Sequence, residues 1–334
     1  MYNFCTYFDH NYLPKGMVLY ESLRKYCPSF KLYILCLNTE CYDVLKKAKL
    51  LNVILIALED LEKDDPELLA AKNNRTPVEY YFTLTPCLPL YILSHFKPLS
   101  MITYLDSDLY FFSDPKLIFD EIGSASVGII GHNFSEKLKK LVLFGKYNVG
   151  WISFRNDKNG LLCLQWYRDK CIEWCYDKLE SNRYADQKYL DYFAENFEGV
   201  IEIKNKGANL APWNVDNYLI LNNNGSIYVD GSPLIFFHVQ GLKKLFGNYY
   251  DSTFHSYFAN LSDVIRYDVY VKYLRDLSYQ KKRFENKFKT AQINGIRCNS
   301  KKIVLDNYFP TLLDQLRLLK RIAKSWWCHS IVNK

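Results

Sequence analysis

Asp106 and Asp108 are the residues in this chain whose types and spacing most directly suggest chemistry. They flank Ser107 immediately after the mostly apolar run 100–105. Residues two apart in extended backbone point the same way, so both carboxylates can face one hard divalent cation. At the carboxyl end of a strand in an open α/β sheet, they would stand where such sheets bind ligands. A bare D-x-D triplet is weak evidence, since roughly one arises by chance in a chain of this length. The plain alternative is a solvated turn in which Asp114 caps the next helix. What favours chemistry is the context: an apolar strand that delivers two acids into a loop.

Other candidates divide in the same way. His238 lies in an apolar run and, on residue type alone, reads as a satisfied core histidine. Asp186 and Gln187 suit the first turn of a helix, which favours such residues without any function. Arg75 and its rival Lys72 read as solvated charges. The phosphate cradles of other nucleotide enzymes are missing, with neither G-x-G-x-x-G nor G-x-x-x-x-G-K-[ST] in the chain. A dinucleotide dehydrogenase and a P-loop enzyme are disfavoured, so a diphosphate would have to be held by metal and side chains.

The elements that must position these residues follow from hydrophobic patterning. Apolar runs at 3–8, 30–37 and 52–58 alternate with helical segments, the pattern of a parallel, doubly wound sheet with helices on both faces. Residues 77–96 predict a helix broken or kinked at Pro86 and Pro89, because proline removes a donor and clashes with the preceding turn. Further on, 147–154 predicts a strand, 161–176 a helix, 185–193 a short helix, 218–229 a hairpin and 232–240 one more strand. From about 251 the pattern is helical. It ends in a basic amphipathic helix over 311–327, with Leu312, Leu316, Leu319, Ala323 and Trp326 on one face.

At this point a resemblance becomes specific. The run Tyr104-Leu105-Asp106-Ser107-Asp108-Leu109-Tyr110-Phe111-Phe112-Ser113-Asp114-Pro115 resembles the metal-binding segment of GT-A fold glycosyltransferases, closest to family 8 and its bacterial nucleotide-diphospho-sugar transferase relatives. Matching blocks follow in order around Thr76-Pro77-Val78-Glu79, Asn148-Val149-Gly150-Trp151, Ala185-Asp186-Gln187-Lys188, Ala211-Pro212-Trp213-Asn214 and Phe237-His238-Val239-Gln240-Gly241. The resemblance implies an α/β fold, a GT-A Rossmann-like, mainly parallel central sheet flanked by helices. That catalytic domain would span 1–250, with a basic helical C-terminal region over 251–334.

The resemblance also implies roles. Phe4, Cys5, Thr6, Asp9 and Tyr12 would line the nucleotide pocket. Asp106, Asp108 and His238 would hold a divalent cation, Mn²⁺ first and Mg²⁺ second, beside Ser107; a mixed carboxylate–imidazole set suits Mn²⁺. Arg75 would lie against the donor, and Asn148 and Gly150 would shape the acceptor side. Asp186 would bind sugar hydroxyls, with Gln187 beside the anomeric carbon. The family's late His-x-x-Gly-x-x-Lys-Pro-Trp stretch is here His238-Val239-Gln240-Gly241-Leu242-Lys243-Lys244-Leu245, which keeps a basic residue at Lys243 or Lys244, Lys243 being taken for the diphosphate contact, but loses Pro-Trp. The expected activity is transfer of a hexose from a nucleotide-diphosphate sugar, UDP-sugar favoured, to a glycan or lipid-linked acceptor, with retention. Bacterial surface-polysaccharide or lipopolysaccharide synthesis is the implied setting. The alternatives are a non-catalytic sugar- or lipid-binding protein on the same scaffold, or a nucleotidyltransferase.

Bulk properties set the frame for these readings. Of 334 residues, 49% are hydrophobic and 16% aromatic, which excludes a disordered chain and supports a large core. The formal charge of +7 is uneven: 272–334 holds 15 Lys and Arg against 4 Asp and Glu, while the remainder is slightly acidic. That basic end would suit an anionic membrane surface; nucleic acid fits the charge but has no motif behind it. No signal peptide or spanning segment is read, so the expected location is cytoplasmic, peripheral at the inner membrane face. Ten cysteines without a C-x-x-C pair read as buried thiols.

Overall fold

The computed structural model describes residues 1–96, 98–288 and 331–333. Its N-terminal half alternates as the apolar runs require: β1 (Tyr2–Phe8), α1 (Leu13–Tyr26), β2 (Phe30–Cys36), α2 (Thr39–Ala48) and β3 (Val53–Ala57). Two short helices, α3 (Leu58–Asp64) and α4 (Pro66–Ala71), lead into α5 (Pro77–His95). Next come β4 (Met101–Leu105), β5 (Leu109–Phe111), α6 (Lys116–Ile122), β6 (Val127–Gly131), β7 (Tyr147–Arg155) and α7 (Lys158–Glu173). The short α8 (Phe193–Asn196) and β8 (Val200–Ile203) complete this part.

These strands form a seven-stranded sheet in the order β3-β2-β1-β4-β7-β6-β8. Six run in one direction, and β7 alone is antiparallel to its neighbours. The architecture is therefore α/β, with a mainly parallel central sheet flanked by helices. Alternation along β1 sends Phe4 and Phe8 into the core under α1 and α2, and Cys5 into the core under α5 and α7. All eight cysteines among the described residues are buried and free.

α5 is one 19-residue helix that carries Pro86 and Pro89 inside it, so of the break or kink expected there the break does not occur. It starts firmly: Pro77 occupies the first turn, and Thr76 and Glu79 close a capping box. Its middle is buried against the sheet, and that packing outweighs the two missing backbone donors. The segment expected as a short helix over 185–193 is instead a 3₁₀ turn, Gln187–Tyr192, continued by α8.

Beyond the sheet, β9 (Ile220–Asn223) and β10 (Ser226–Val229) form the expected hairpin. Asn224 and Gly225 turn it with φ of 51° and 85°, the conformation that a two-residue hairpin loop demands. The single strand expected over 232–240 is two. β11 (Ser232–Pro233) extends the hairpin, whereas β12 (Phe236–His238) pairs antiparallel with β5. Between them the amides of Leu234 and Ile235 bond to Ile227 and Gly207, so the chain changes sheets there.

The C-terminal part adds β13 (Lys243–Phe246), β14 (Tyr249–Asp251), a π-helical stretch (Val264–Val271), α9 (Lys272–Phe288) and β15 (Ile331–Asn333), which pairs with β14. α9 lies along α1, with Arg283 3.0 Å from Glu21 and Lys272 3.2 Å from the Tyr26 hydroxyl. One apolar cluster joins Val18 and Tyr110 to Ile265, Tyr273 and Leu277, so residues on both sides of position 250 share a core. The amphipathic helix expected over 311–327 lies outside the described residues. No described helix is long and apolar enough to cross a membrane.

Candidate metal centre and adjoining cavity

β4 ends at Leu105 and releases Asp106 and Asp108 into the turn before β5. The pairing of β5 with β12 then sets His238 opposite Leu109, and two further bonds fix the turn: Asp106 N donates to Gly150 O, and Val239 N to Asp108 O. His238 Nε2 lies 3.2 Å from Asp108 Oδ1 and 3.5 Å from Asp106 Oδ2. Among the described residues, these three form the group of side chains that could hold a metal ion.

The tautomer of His238 follows from its neighbour. Asn148 Oδ1 accepts from the Gly150 amide at 3.1 Å and lies 3.3 Å from His238 Nδ1. Nδ1 therefore carries the proton and donates. Nε2 is buried and has no hydrogen-bond partner, yet it faces two carboxylates. In a neutral imidazole that nitrogen presents a lone pair to two anions, an arrangement that a cation between them resolves. The donor set thus fits a divalent ion of the Mn²⁺ or Mg²⁺ type.

The electrostatics of the two acids differ. Burial raises the Asp106 carboxyl above its usual range, and the Asp108 charge adds to this while His238 opposes it. Burial also works against the charge on Asp108, but Lys15 and His238 outweigh it and hold that carboxyl low. His238 is raised despite burial, because the nearby carboxylates, Asp108 first and then Asp106, favour its protonated form in the metal-free site.

A cavity of about 380 Å³ opens beside this centre, lined in part by Tyr7, Thr85, Asp106, Asp186, Gln187 and His238. Asp186 is 4% exposed, and burial pushes its carboxyl up to about 7, with Asp106 contributing and Thr85 opposing through a hydrogen bond. The residue before it, Ala185, has φ of 45°, a left-handed conformation that costs a non-glycine residue about 1–2 kcal/mol. The surrounding fold therefore holds the backbone at Asp186 in a strained geometry. Gln187 donates from Nε2 to Phe144 O at 3.1 Å. Asn148 also lines the cavity and joins His238 to His132, whose Nε2 is 3.1 Å from Asn148 Nδ2. Burial drives His132 down to about 3.

The remaining expected residues are placed elsewhere. Phe4 and Cys5 point into the two cores, and Thr6 Oγ1 is buried without a partner. Asp9 accepts from the amide of Tyr12 at 2.9 Å and thereby shapes the entry to α1. Arg75 stacks on Tyr176 at 4.1 Å and donates to Ile172 O at 3.0 Å, away from the cavity lining. Lys72 pairs with Glu62 at 2.6 Å. Lys243 opens β13 opposite Asp251 and is not among the residues lining the cavity.

YfnD, an uncharacterized protein of Bacillus subtilis (strain 168), is 35% identical over 243 residues, covering 72% of this chain and 78% of its own length. YfnF of the same organism, also uncharacterized, is 33% identical over 248 residues, 72% of this chain and 81% of its own. The chain belongs to the YfnD–YfnF family. No family model matches it. Among solved structures, an active-site mutant of LgtC aligns with a TM-score of 0.47 at 15% identity over 72% of this chain and 88% of its own. Apo mouse xyloside xylosyltransferase 1 aligns at 0.43 and 16% over 63% of this chain and 87% of its own.

In this member of the YfnD–YfnF family, the structure adds site residues that sequence reasoning passed over. Lys15 is 2% exposed and lies 3.6 Å from Asp108. Its signal was a lysine inside the apolar run 13–19, one turn after Tyr12. His132 follows the apolar β6 just as Asp106 follows β4, and the same reading would have found it. Trp213, which also lines the cavity, lies in the matching block 211–214 but was given no role there, and Tyr7 and Thr85 carried no local signal beyond a hydroxyl in a buried segment.

Proposed function

We propose that this chain is a metal-dependent glycosyltransferase that takes a hexose from a nucleotide-diphosphate sugar, UDP-sugar favoured, and passes it to a glycan or lipid-linked acceptor. The observation that carries the reading is the Asp106–Asp108–His238 centre, with an orphaned imidazole nitrogen, opening onto the cavity that contains Asp186 and Gln187. The resemblance of 104–115 and 237–241 to GT-A metal-binding segments supports it.

A divalent cation held there supplies Lewis-acid stabilisation of the charge that develops on a leaving diphosphate. The chain's own residues do the rest. Asn148 orients His238, and Tyr104 donates to Asp106 Oδ1 at 2.9 Å, so both ligands are held before the donor arrives. Asp186 receives sugar hydroxyls, and its buried site excludes water from the bond that breaks. Gln187 stands beside the anomeric carbon. Attack of the acceptor hydroxyl on the face that the leaving group vacates gives retention; an inverted anomer by NMR excludes that route.

The test of the donor class is calorimetry of UDP, GDP, ADP and CDP with the purified chain, with and without Mn²⁺. Binding of one of them, dependent on Mn²⁺ and lost in Asp106→Ala, supports the reading. Equal binding without the metal overturns it.

A further inference from the structure

Lys15 is a lysine with almost no access to solvent, placed beside a metal centre that already has its ligands. It stands on the first turn of α1, and its Nζ lies 3.6 Å from Asp108 Oδ2, 3.3 Å from the Tyr12 hydroxyl and 4.3 Å from the centre of the Tyr12 ring. The Tyr273 hydroxyl on α9, buried without a hydrogen-bond partner, interacts electrostatically with both Asp108 and Tyr12. A lysine is seldom fully buried unless an anion compensates it, and Asp108 is the carboxylate in ion-pair reach here. Asp108 is therefore shared: Oδ1 toward His238 and the cation site, Oδ2 toward Lys15.

We propose that Lys15 is a positioning residue that couples metal binding to diphosphate binding. The proposal rests on the metal-centre reading above. With both carboxylates ionised, Lys15 charged and His238 neutral, as a metal ligand must be, the site carries a net charge of about −1 apart from the ion. A divalent cation turns this to about +1, so the ion alone is opposed by the ammonium a few ångström away. A diphosphate, bringing two or more negative charges, offsets that excess. Lys15 makes the metal a poor ligand by itself and a good one together with the donor, and its pull on Oδ2 keeps Asp108 turned so that Oδ1 faces the site. Removing the ammonium should leave a centre that takes metal freely and gains less from the diphosphate. By linkage the change must show equally on both ligands.

The experiment measures Mn²⁺ binding by electron paramagnetic resonance titration, alone and with whichever of UDP, GDP, ADP and CDP the wild type binds most tightly. The proteins are the wild type, Lys15→Met, Lys15→Gln and Lys15→Arg, with melting temperatures as the fold control. Whichever neutral variant keeps the wild-type melting temperature should bind Mn²⁺ alone on the order of tenfold more tightly, from the Coulomb repulsion removed. Its Mn²⁺ affinity should gain on the order of tenfold less from the diphosphate. Lys15→Arg, which keeps the charge, should stay close to wild type in both. Unchanged or weaker Mn²⁺ binding in a folded neutral variant overturns the coupling role while leaving the metal centre standing. A wild type that binds no Mn²⁺ overturns the centre itself.

Discussion

Asn148 holds His238 by a single 3.3 Å contact from Oδ1 to Nδ1, and the same oxygen accepts the Gly150 amide, so one side chain fixes the proton on the imidazole. Asn148→Ala removes that control without emptying a large volume. It should weaken Mn²⁺ binding about 10–100-fold, the usual effect of losing a partner behind a metal ligand. The change in unfolding free energy should stay near ~1–2 kcal/mol. A calorimetric Mn²⁺ titration of variant and wild type, with denaturant melts of each, reads both quantities.

Gly150 tests the same geometry from the backbone. A Cβ there would lie 2.6 Å from Asn148 Oδ1 and 3.0 Å from the His238 ring, so neither group could stay in place. Gly150→Ala should cost Mn²⁺ affinity at least as much as Asn148→Ala and destabilise by about 1–3 kcal/mol through overpacking. Unaltered metal binding in a folded Gly150→Ala protein would show that the ligands tolerate displacement.

The two acids of the proposed metal centre should respond oppositely in the metal-free protein. Asp108, its side chain 10% exposed, is paired with Lys15 and His238, whereas Asp106, at 30%, has no lysine or arginine within ion-pair distance among the described residues. Asp108→Asn leaves a buried ammonium uncompensated and should destabilise by about 3 kcal/mol. Asp106→Asn relieves carboxylate repulsion and should leave the melting temperature level or higher. Thermal melts in EDTA compare them directly.

Asp186 makes stability depend on pH with an unusual sign. Its folded-state value is near 7, above the ~3.9 of an unfolded aspartate. Between those values the folded protein keeps a proton that the unfolded chain has released. Stability therefore falls as pH rises through about 4 to 7. His132 acts in the other direction: its folded value near 3 lies below the ordinary ~6.5, so its contribution is lost as pH falls from about 6.5 to 3. Asp186→Asn should be more stable than wild type at pH 8 by roughly 2–4 kcal/mol and nearly equal to it at pH 4, at about 1.4 kcal/mol per pH unit separating the two values. Denaturant melts of both proteins across pH 4–8 in EDTA provide the check.

How far the sequence could be read depended on how local each signal was. The strands of the parallel sheet were legible because burial on both faces writes them as continuous apolar runs. Asp106 and Asp108 were legible because acids at the end of such a run are conspicuous. His238 required the resemblance, since its meaning depends on β12 pairing with β5 across the 124 residues between the two strands. α5 runs unbroken through Pro86 and Pro89, where tertiary packing and a strong cap outweigh the tendency to break there. The split of 232–240 into two strands depends on partners at Ile227 and Gly207 that no local pattern announces. Lys15 was overlooked because a single lysine in an amphipathic segment usually reaches solvent, and only the placement of Tyr12, Asp108 and α9 encloses it.

The most direct test of the central claim is donor hydrolysis without an acceptor. Purified protein is incubated with Mn²⁺ and a panel of UDP- and GDP-sugars, and released nucleotide is followed by chromatography, with EDTA and Asp108→Ala as controls. The predicted result is slow release from one donor, abolished by EDTA and by the substitution. Release that persists in EDTA, or none from any donor together with no Mn²⁺-dependent nucleotide binding, would contradict the assignment of a metal-dependent glycosyltransferase.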